Sequence, residues 1–226
     1  MLAYNGSTSG LFHGAFLQSG SPIPVGTLTE GQVYYNQLVN ATSCSLQSDT
    51  LACLRRVDLG ILSRAINDSP GIFAYQSLVL AWTPRADGSF LSDNPQRLVQ
   101  QNRVANIPFV SGDVDDEGTI FSQSTLNITS DSEFENYIKT IWLPNATDAQ
   151  LEPLFSQYPS DRSAGSPYNT SIESSITSQY KRMASFQGDA VFQAPRRFFM
   201  QTRAVRQSNI WGFREANHAF ELSTSG

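Results

Sequence analysis

Asp113, Asp115, Asp116 and Glu117 lie together in the stretch Ile107-Pro-Phe-Val-Ser-Gly-Asp-Val-Asp-Asp-Glu-Gly-Thr119. The apolar run Ile107 to Val110 reads as a short buried strand that breaks at Ser111-Gly112 and opens into the acidic loop, where Gly118 permits a sharp change of direction. Carboxylates just beyond a buried strand stand where open α/β sheets place their chemistry, because side chains past the carboxyl ends of strands face the ligand crevice. Such a group could hold a metal or serve a catalytic centre; a solvated acidic surface is the other reading.

The remaining reactive residues are few. Cys44 and Cys53 are the only cysteines, in a Ser/Thr/Gln-rich loop. With His13 and His218 as the only histidines, their spacing fits neither a CxxC redox motif nor a metal site. A disulfide closing this short loop, worth ~2–3 kcal/mol in the chain-entropy view, is the economical reading. Asn5, Asn40, Asn67, Asn127, Asn145 and Asn169 each head an Asn-X-Ser/Thr sequon. Together with the cysteine pair they favour a secreted origin. The N-terminal Met1-Leu-Ala-Tyr-Asn-Gly6 has no basic segment followed by an apolar core, so no signal peptide is read there, and the chain is expected to be part of a longer protein.

These groups must be positioned by a folded core, and 226 residues suffice for one. A net charge of −5 argues against nucleic acid and anionic membrane surfaces as partners. No apolar run approaches the roughly 20 residues that span a bilayer. Strands are expected near 11–18, 107–111 and 209–213, with His13 a structural residue of the first. Helices are expected from Thr29 to about Val39, from an Asp58 cap through Ile66, and from Asn94-Pro95 through Val99. Phe134, Tyr137, Ile138 and Ile141 share a helical face, and so do Leu151, Leu154, Phe155 and Tyr158 after a Thr147 cap. Two further helices are read over 171–186 and 189–203, and Ile72 to Trp82 is either a strand or the lining of an apolar pocket. Few strands among long helical stretches indicate a partial α/β sheet.

Several segments carry a resemblance. Leu11-Phe-His-Gly-Ala-Phe-Leu-Gln-Ser-Gly-Ser21, Cys44…Cys53-Leu-Arg55, Pro84-Arg-Ala-Asp-Gly88, Gly112-Asp-Val-Asp-Asp-Glu-Gly-Thr119 and Gly188-Asp-Ala-Val-Phe192 occur in the order found in the type-B carboxylesterase/lipase family of the α/β-hydrolase fold. The chain thus resembles the fungal lipases and cholinesterase-like enzymes over residues 1–213, with a divergent polar tail at 214–226. The resemblance implies hydrolysis of small-molecule or lipid carboxylic esters by a Ser-Glu-His triad, without metal or organic cofactor. Glu117 falls on the triad acid, and Ser19 on a position that can hydrogen-bond it. Phe121 is a candidate acyl-pocket wall, with ordinary core its alternative.

The nucleophile elbow Gly-x-Ser-x-Gly is not matched. Gly6-Ser-Thr-Ser-Gly10 has Thr8 at its centre, in a polar loop before a strand, and reads as a surface turn. The family's elbow precedes a Met-Leu-Ala-Tyr-Asn-Gly-like segment, so the chain is expected to begin after it. His218, in Ala216-Asn-His-Ala-Phe-Glu221, follows the last expected strand but departs from the family's Gly-rich context. The chain is therefore read as carrying the acid without the serine. A non-catalytic cholinesterase-like binding or adhesion domain is the alternative.

Overall fold

The computed structural model describes residues 1–215. A three-stranded parallel sheet, in the order β1 (Ala15–Gln18), β2 (Phe109–Val114), β3 (Ile210–Glu215), forms its centre. Ala15 to Gln18 lie opposite Phe109 to Gly112, and Phe109 to Val114 lie opposite Ile210 to Glu215. Because β2 has a neighbour on each side, its backbone polar groups are satisfied on both edges. This is why the expected break at Ser111-Gly112 does not occur and the strand runs on to Val114. Gly112 is there because a β-carbon would come within 2.3 Å of the Phe213 ring on β3. The first strand is shorter than expected, Leu11 to Gly14 forming its approach, and His13 is exposed ahead of it rather than packed in the sheet.

Between β1 and β2 run α1 (Leu28–Ala41), α2 (Thr50–Leu54), α3 (Leu59–Asn67) and α4 (Pro95–Gln100). Their starts follow local chemistry. Thr27 and Glu30 form a capping box on α1, two residues before the expected Thr29 cap. The Asp58 carboxylate accepts from Gly60 N and Ile61 N, and Asn94 accepts from Gln96 N just before Pro95. A Cys44–Cys53 disulfide with Cα atoms 5.7 Å apart ties the end of α1 to α2. It is enclosed with Leu38, Val39, Leu54 and Ala65 in a small core. Residues 72–82 form turns rather than a strand; Leu78 and Ala81 are buried while Phe73 and Tyr75 stay largely exposed.

After β2 come α5 (Asp131–Tyr137), which continues as a π-helical turn Ile138–Trp142, and α6 (Asp148–Phe155), capped by Thr147 with Gln150. The two expected helices over 171–203 are one rod: α7 (Tyr180–Gly188), a π-helical turn (Asp189–Gln193) and α8 (Ala194–Ala204). It begins nine residues late because Ser side chains capture the backbone first. Ser171 Oγ accepts from Glu173 N, Ser175 Oγ donates to Thr177 O, and Ser178 Oγ donates to Thr129 O. No helix among the described residues is long and apolar enough to cross a membrane.

Two cores flank this rod. On the sheet side, Phe199 of α8 stacks on Phe109 of β2 with ring centroids 5.0 Å apart, among Val99 and Val104. On the other, Phe134, Tyr137, Ile138, Leu151, Met183 and Phe186 pack together. Phe134, fully buried, meets the rings of Phe155 and Phe186 edge-on, and the Arg182 guanidinium lies 4.0 Å from its ring centroid. Phe134→Ala should therefore destabilise the fold by ~3–5 kcal/mol in urea denaturation. A loss below ~1 kcal/mol, the range of surface substitutions, would show that this cluster is not a core.

Candidate functional site

The acidic site is built where β1 and β2 end side by side. Ser19, directly after β1, continues the ladder by donating its N–H to Gly112 O at 2.8 Å and holds a left-handed φ of 52°. That turn aims its side chain across the strand ends, and Ser19 Oγ donates to Glu117 Oε1 at 2.6 Å. The same carboxylate oxygen accepts from Val114 N at 2.9 Å. Glu117 is 1% exposed, so its charge is held by directed donors rather than by bulk water. The two residues expected to meet from distant parts of the chain do meet.

Gly118 is the reason the turn can close. A β-carbon there would lie 1.9 Å from Ala184 O and 2.6 Å from Gly188 N, so the backbone of the acidic turn rests directly on α7. Ser122 N and Ser122 Oγ both bond Gly118 O, fixing the turn's far side.

The neighbouring carboxylates have separate fates. Asp113 is 1% exposed on β2, and its Oδ2 accepts from Arg196 Nε of α8 at 2.6 Å. Asp115 pairs with Arg214 of β3 at the solvent edge. Asp116 Oδ1 accepts from Ser166 Oγ at 2.8 Å and Tyr168 N at 2.9 Å, pinning loop 160–170 against the turn. Among the described residues no group of three or more His, Cys, Asp or Glu could hold a metal. Phe121, half-buried, stacks on Phe192 with centroids 5.9 Å apart, one turn beyond the acid. His218 lies outside the described residues. All of Asn5, Asn40, Asn67, Asn127, Asn145 and Asn169 are exposed.

Several partners carry little signal in the sequence. Gln193 Nε2 donates to Val114 O at 2.9 Å, and Arg196 Nη2 donates to Gln193 Oε1 at 3.2 Å. Their spacing of three on a helical segment is a weak sign that both share one face. Asp189, inside a segment used for the family resemblance, accepts from Tyr158 OH at 3.1 Å. Burial raises the Asp189 carboxyl above its ordinary value, against the opposing effects of the Tyr158 hydrogen bond and the Arg197 charge. Burial likewise raises the Tyr158 phenol, with the Asp189 charge adding to it.

Known proteins share this arrangement of strands and helices. The sequence profile of the Carboxylesterase family matches residues 1–222. The chain belongs to the carboxylesterase family. Lipase 4 of Diutina rugosa is 42% identical over 199 residues, which cover 87% of this chain and 36% of that protein. A secreted triacylglycerol lipase of Gibberella zeae is 35% identical over 221 residues, covering 94% of this chain and 38% of the relative. The crystal structure of Aspergillus niger EstA superposes with a TM-score of 0.75 at 25% identity, over 95% of this chain and 40% of that one. The parallel sheet with its helices is thus part of the α/β-hydrolase fold of the carboxylesterases, and the chain spans little more than a third of the length of the relatives it matches.

Two outcomes follow from the local chemistry. Gly118→Ala should separate the turn from α7, lowering the thermal midpoint by several degrees at least; an unchanged midpoint would mean that the turn does not rest on the helix. For Asp189, a raised folded-state value means the protonated form is favoured on folding. Its contribution is present below the unfolded carboxyl value and is lost as pH rises through the folded one. The stability of Asp189→Asn relative to the wild type should therefore improve as pH rises above about 4 and level off once pH has passed the folded-state value. A difference independent of pH across that range would refute it.

Proposed function

We propose that this chain supplies the acid of a Ser-His-Glu triad in a carboxylic ester hydrolase, with Glu117 as the acid. The carrying observation is the buried carboxylate at the carboxyl ends of adjacent parallel strands, its Oε1 fixed by Ser19 Oγ and Val114 N. A serine hydroxyl is a poor nucleophile until a histidine takes its proton. A fixed, buried carboxylate orients that imidazole and stabilises its cation as the serine attacks the ester carbonyl and the acyl-enzyme forms; water then releases the acid. Ser19 acts through Glu117 by holding its rotamer, and Phe121 with Phe192 offers an aromatic wall to an acyl chain.

The nucleophile belongs to no segment of this chain, since no Gly-x-Ser-x-Gly is present. His13 is exposed before β1 and is not a catalytic base. The chain alone is inactive on this reading: the serine and oxyanion donors are contributed by a larger parent, and so is the histidine, since the other histidine, His218, departs from the family's Gly-rich context. That parent is a secreted, glycosylated fungal-type carboxylesterase or lipase. The support is the Cys44–Cys53 bridge, the exposed sequons, and the secreted lipases of Gibberella zeae and Botryotinia fuckeliana among the relatives.

Hydrolysis of p-nitrophenyl esters by the purified chain should not exceed the buffer rate. Turnover by the chain alone that Glu117→Gln abolishes would refute the assignment of the serine elsewhere. In a protein that joins this chain to a Gly-x-Ser-x-Gly segment, Glu117→Gln should lower kcat by roughly 10³–10⁴-fold. Full activity in that variant would remove Glu117 from the triad and favour a binding domain.

A further inference from the structure

Asp189 to Gln193 form a single π-helical turn in the rod that carries the acidic turn on one end and the sheet on the other. Such turns add a residue to a helix and recur at functional sites. An added residue rotates everything after it by about 100°, so the π turn sets which side chains of α8 face the sheet. The rod is fixed independently on each side of the π turn. Gly188 packs its backbone on Gly118, and Phe199 stacks on Phe109. The π turn reconciles these two contacts, and in doing so it turns Gln193 and Arg196 toward the last residues of β2.

Four contacts then form a continuous bracket. Arg196 Nε donates to Asp113 Oδ2 at 2.6 Å, and Arg196 Nη2 donates to Gln193 Oε1 at 3.2 Å. Gln193 Nε2 donates to Val114 O at 2.9 Å, and Val114 N donates to Glu117 Oε1 at 2.9 Å. The Gln193 amide is oriented by having its oxygen taken by a guanidinium, which leaves its nitrogen for the carbonyl of Val114. Asp113 and Arg196 form an ion pair in which the carboxylate is 1% and the guanidinium side chain 15% exposed, so the bracket is anchored away from solvent. Salt and water weaken such a pair little.

We propose that Gln193 and Arg196 are positioning residues for Glu117, setting through Asp113 and Val114 the N–H that holds the acid. This rests on the reading of Glu117 as the triad acid, but its first test does not. In the 226-residue chain, Gln193→Leu should speed amide hydrogen exchange at Val114 by about tenfold or more while amides of α5 and α6 keep their protection. Gln193→Glu should do the same, because a carboxylate can still accept from Arg196 but has no proton for Val114 O. Arg196→Lys, which can keep the pair with Asp113 and loses the fork to Gln193, should give a smaller rise and secures the result if a Gln193 variant fails to fold. Uniform loss of protection across the chain, or no change at Val114, overturns the proposal.

In the ester-hydrolysing protein that contains this chain, Gln193→Leu should lower kcat about tenfold with KM unchanged. A rise in KM alone would also overturn it. A Glu117→Gln variant with full turnover would instead refute the triad reading, and the exchange rate at Val114 would then decide whether the bracket itself exists.

Discussion

A side chain at position 118 would collide with the backbone of α7, and the rest of the site follows from that exclusion. The acidic turn sits on the helix peptide to peptide, with the Ala184 carbonyl and the Gly188 amide under Gly118. Only glycine at this position lets the turn come so close. The closeness fixes the height of Glu117 above the sheet, so that one oxygen meets both the Ser19 hydroxyl and the Val114 amide. A displacement of even ~1 Å would stretch both bonds out of range. The same contact sets the phase of the helix, which then needs its π-helical turn to place Phe199 on Phe109.

Burying carboxylates costs several kcal/mol apiece unless directed donors replace water. The sheet supplies those donors by geometry. Parallel strands end in the same direction, so the ends of β1 and β2 bring Ser19 and Val114 to one place without a long excursion of either side chain. Asp113 receives a guanidinium from the helix packed on the sheet. Neutral donors meet one oxygen of the first buried acid and a full charge meets the second, and the two acids lie four residues apart.

Much of the local structure is legible in the sequence because its causes are local. Asp58, Asn94 and Thr147 cap the helices that their spacing implies, and the cysteine pair closes across its short loop. The end of β2 is not legible, because Ser111-Gly112 looks like a breaker in isolation. Between two partner strands it is only a small-residue gap for the Phe213 ring. The late start of α7 reflects Ser side chains bonding backbone N–H and C=O groups, a competition that apolar periodicity cannot register. The meeting of Ser19 with Glu117 is expected from resemblance to a family, since no periodicity links residues so distant in the chain. Gln193 and Arg196 are hidden because a π turn leaves no mark in composition and shifts every helical face after it.

The four carboxylates of the acidic turn are held by different parts of the fold. Asp113 is neutralised by Arg196, Asp115 by Arg214 at the solvent edge, and Asp116 is tied to Ser166 and Tyr168 in the service of a loop. Glu117 Oε1 takes a hydroxyl from the end of β1 and a peptide N–H from the end of β2. On the proposed reading of Glu117 as a triad acid, what it must do is hold an imidazole in one orientation, which requires a carboxylate that does not rotate. Two donors converging on one oxygen from different strands fix the direction of the carboxylate more tightly than either could alone. With Arg196 on Asp113, and Ser19 and Val114 on Glu117 Oε1, each buried acid is fixed by a different element of the fold, and the strand ends and α8 must keep their mutual placement for both to hold.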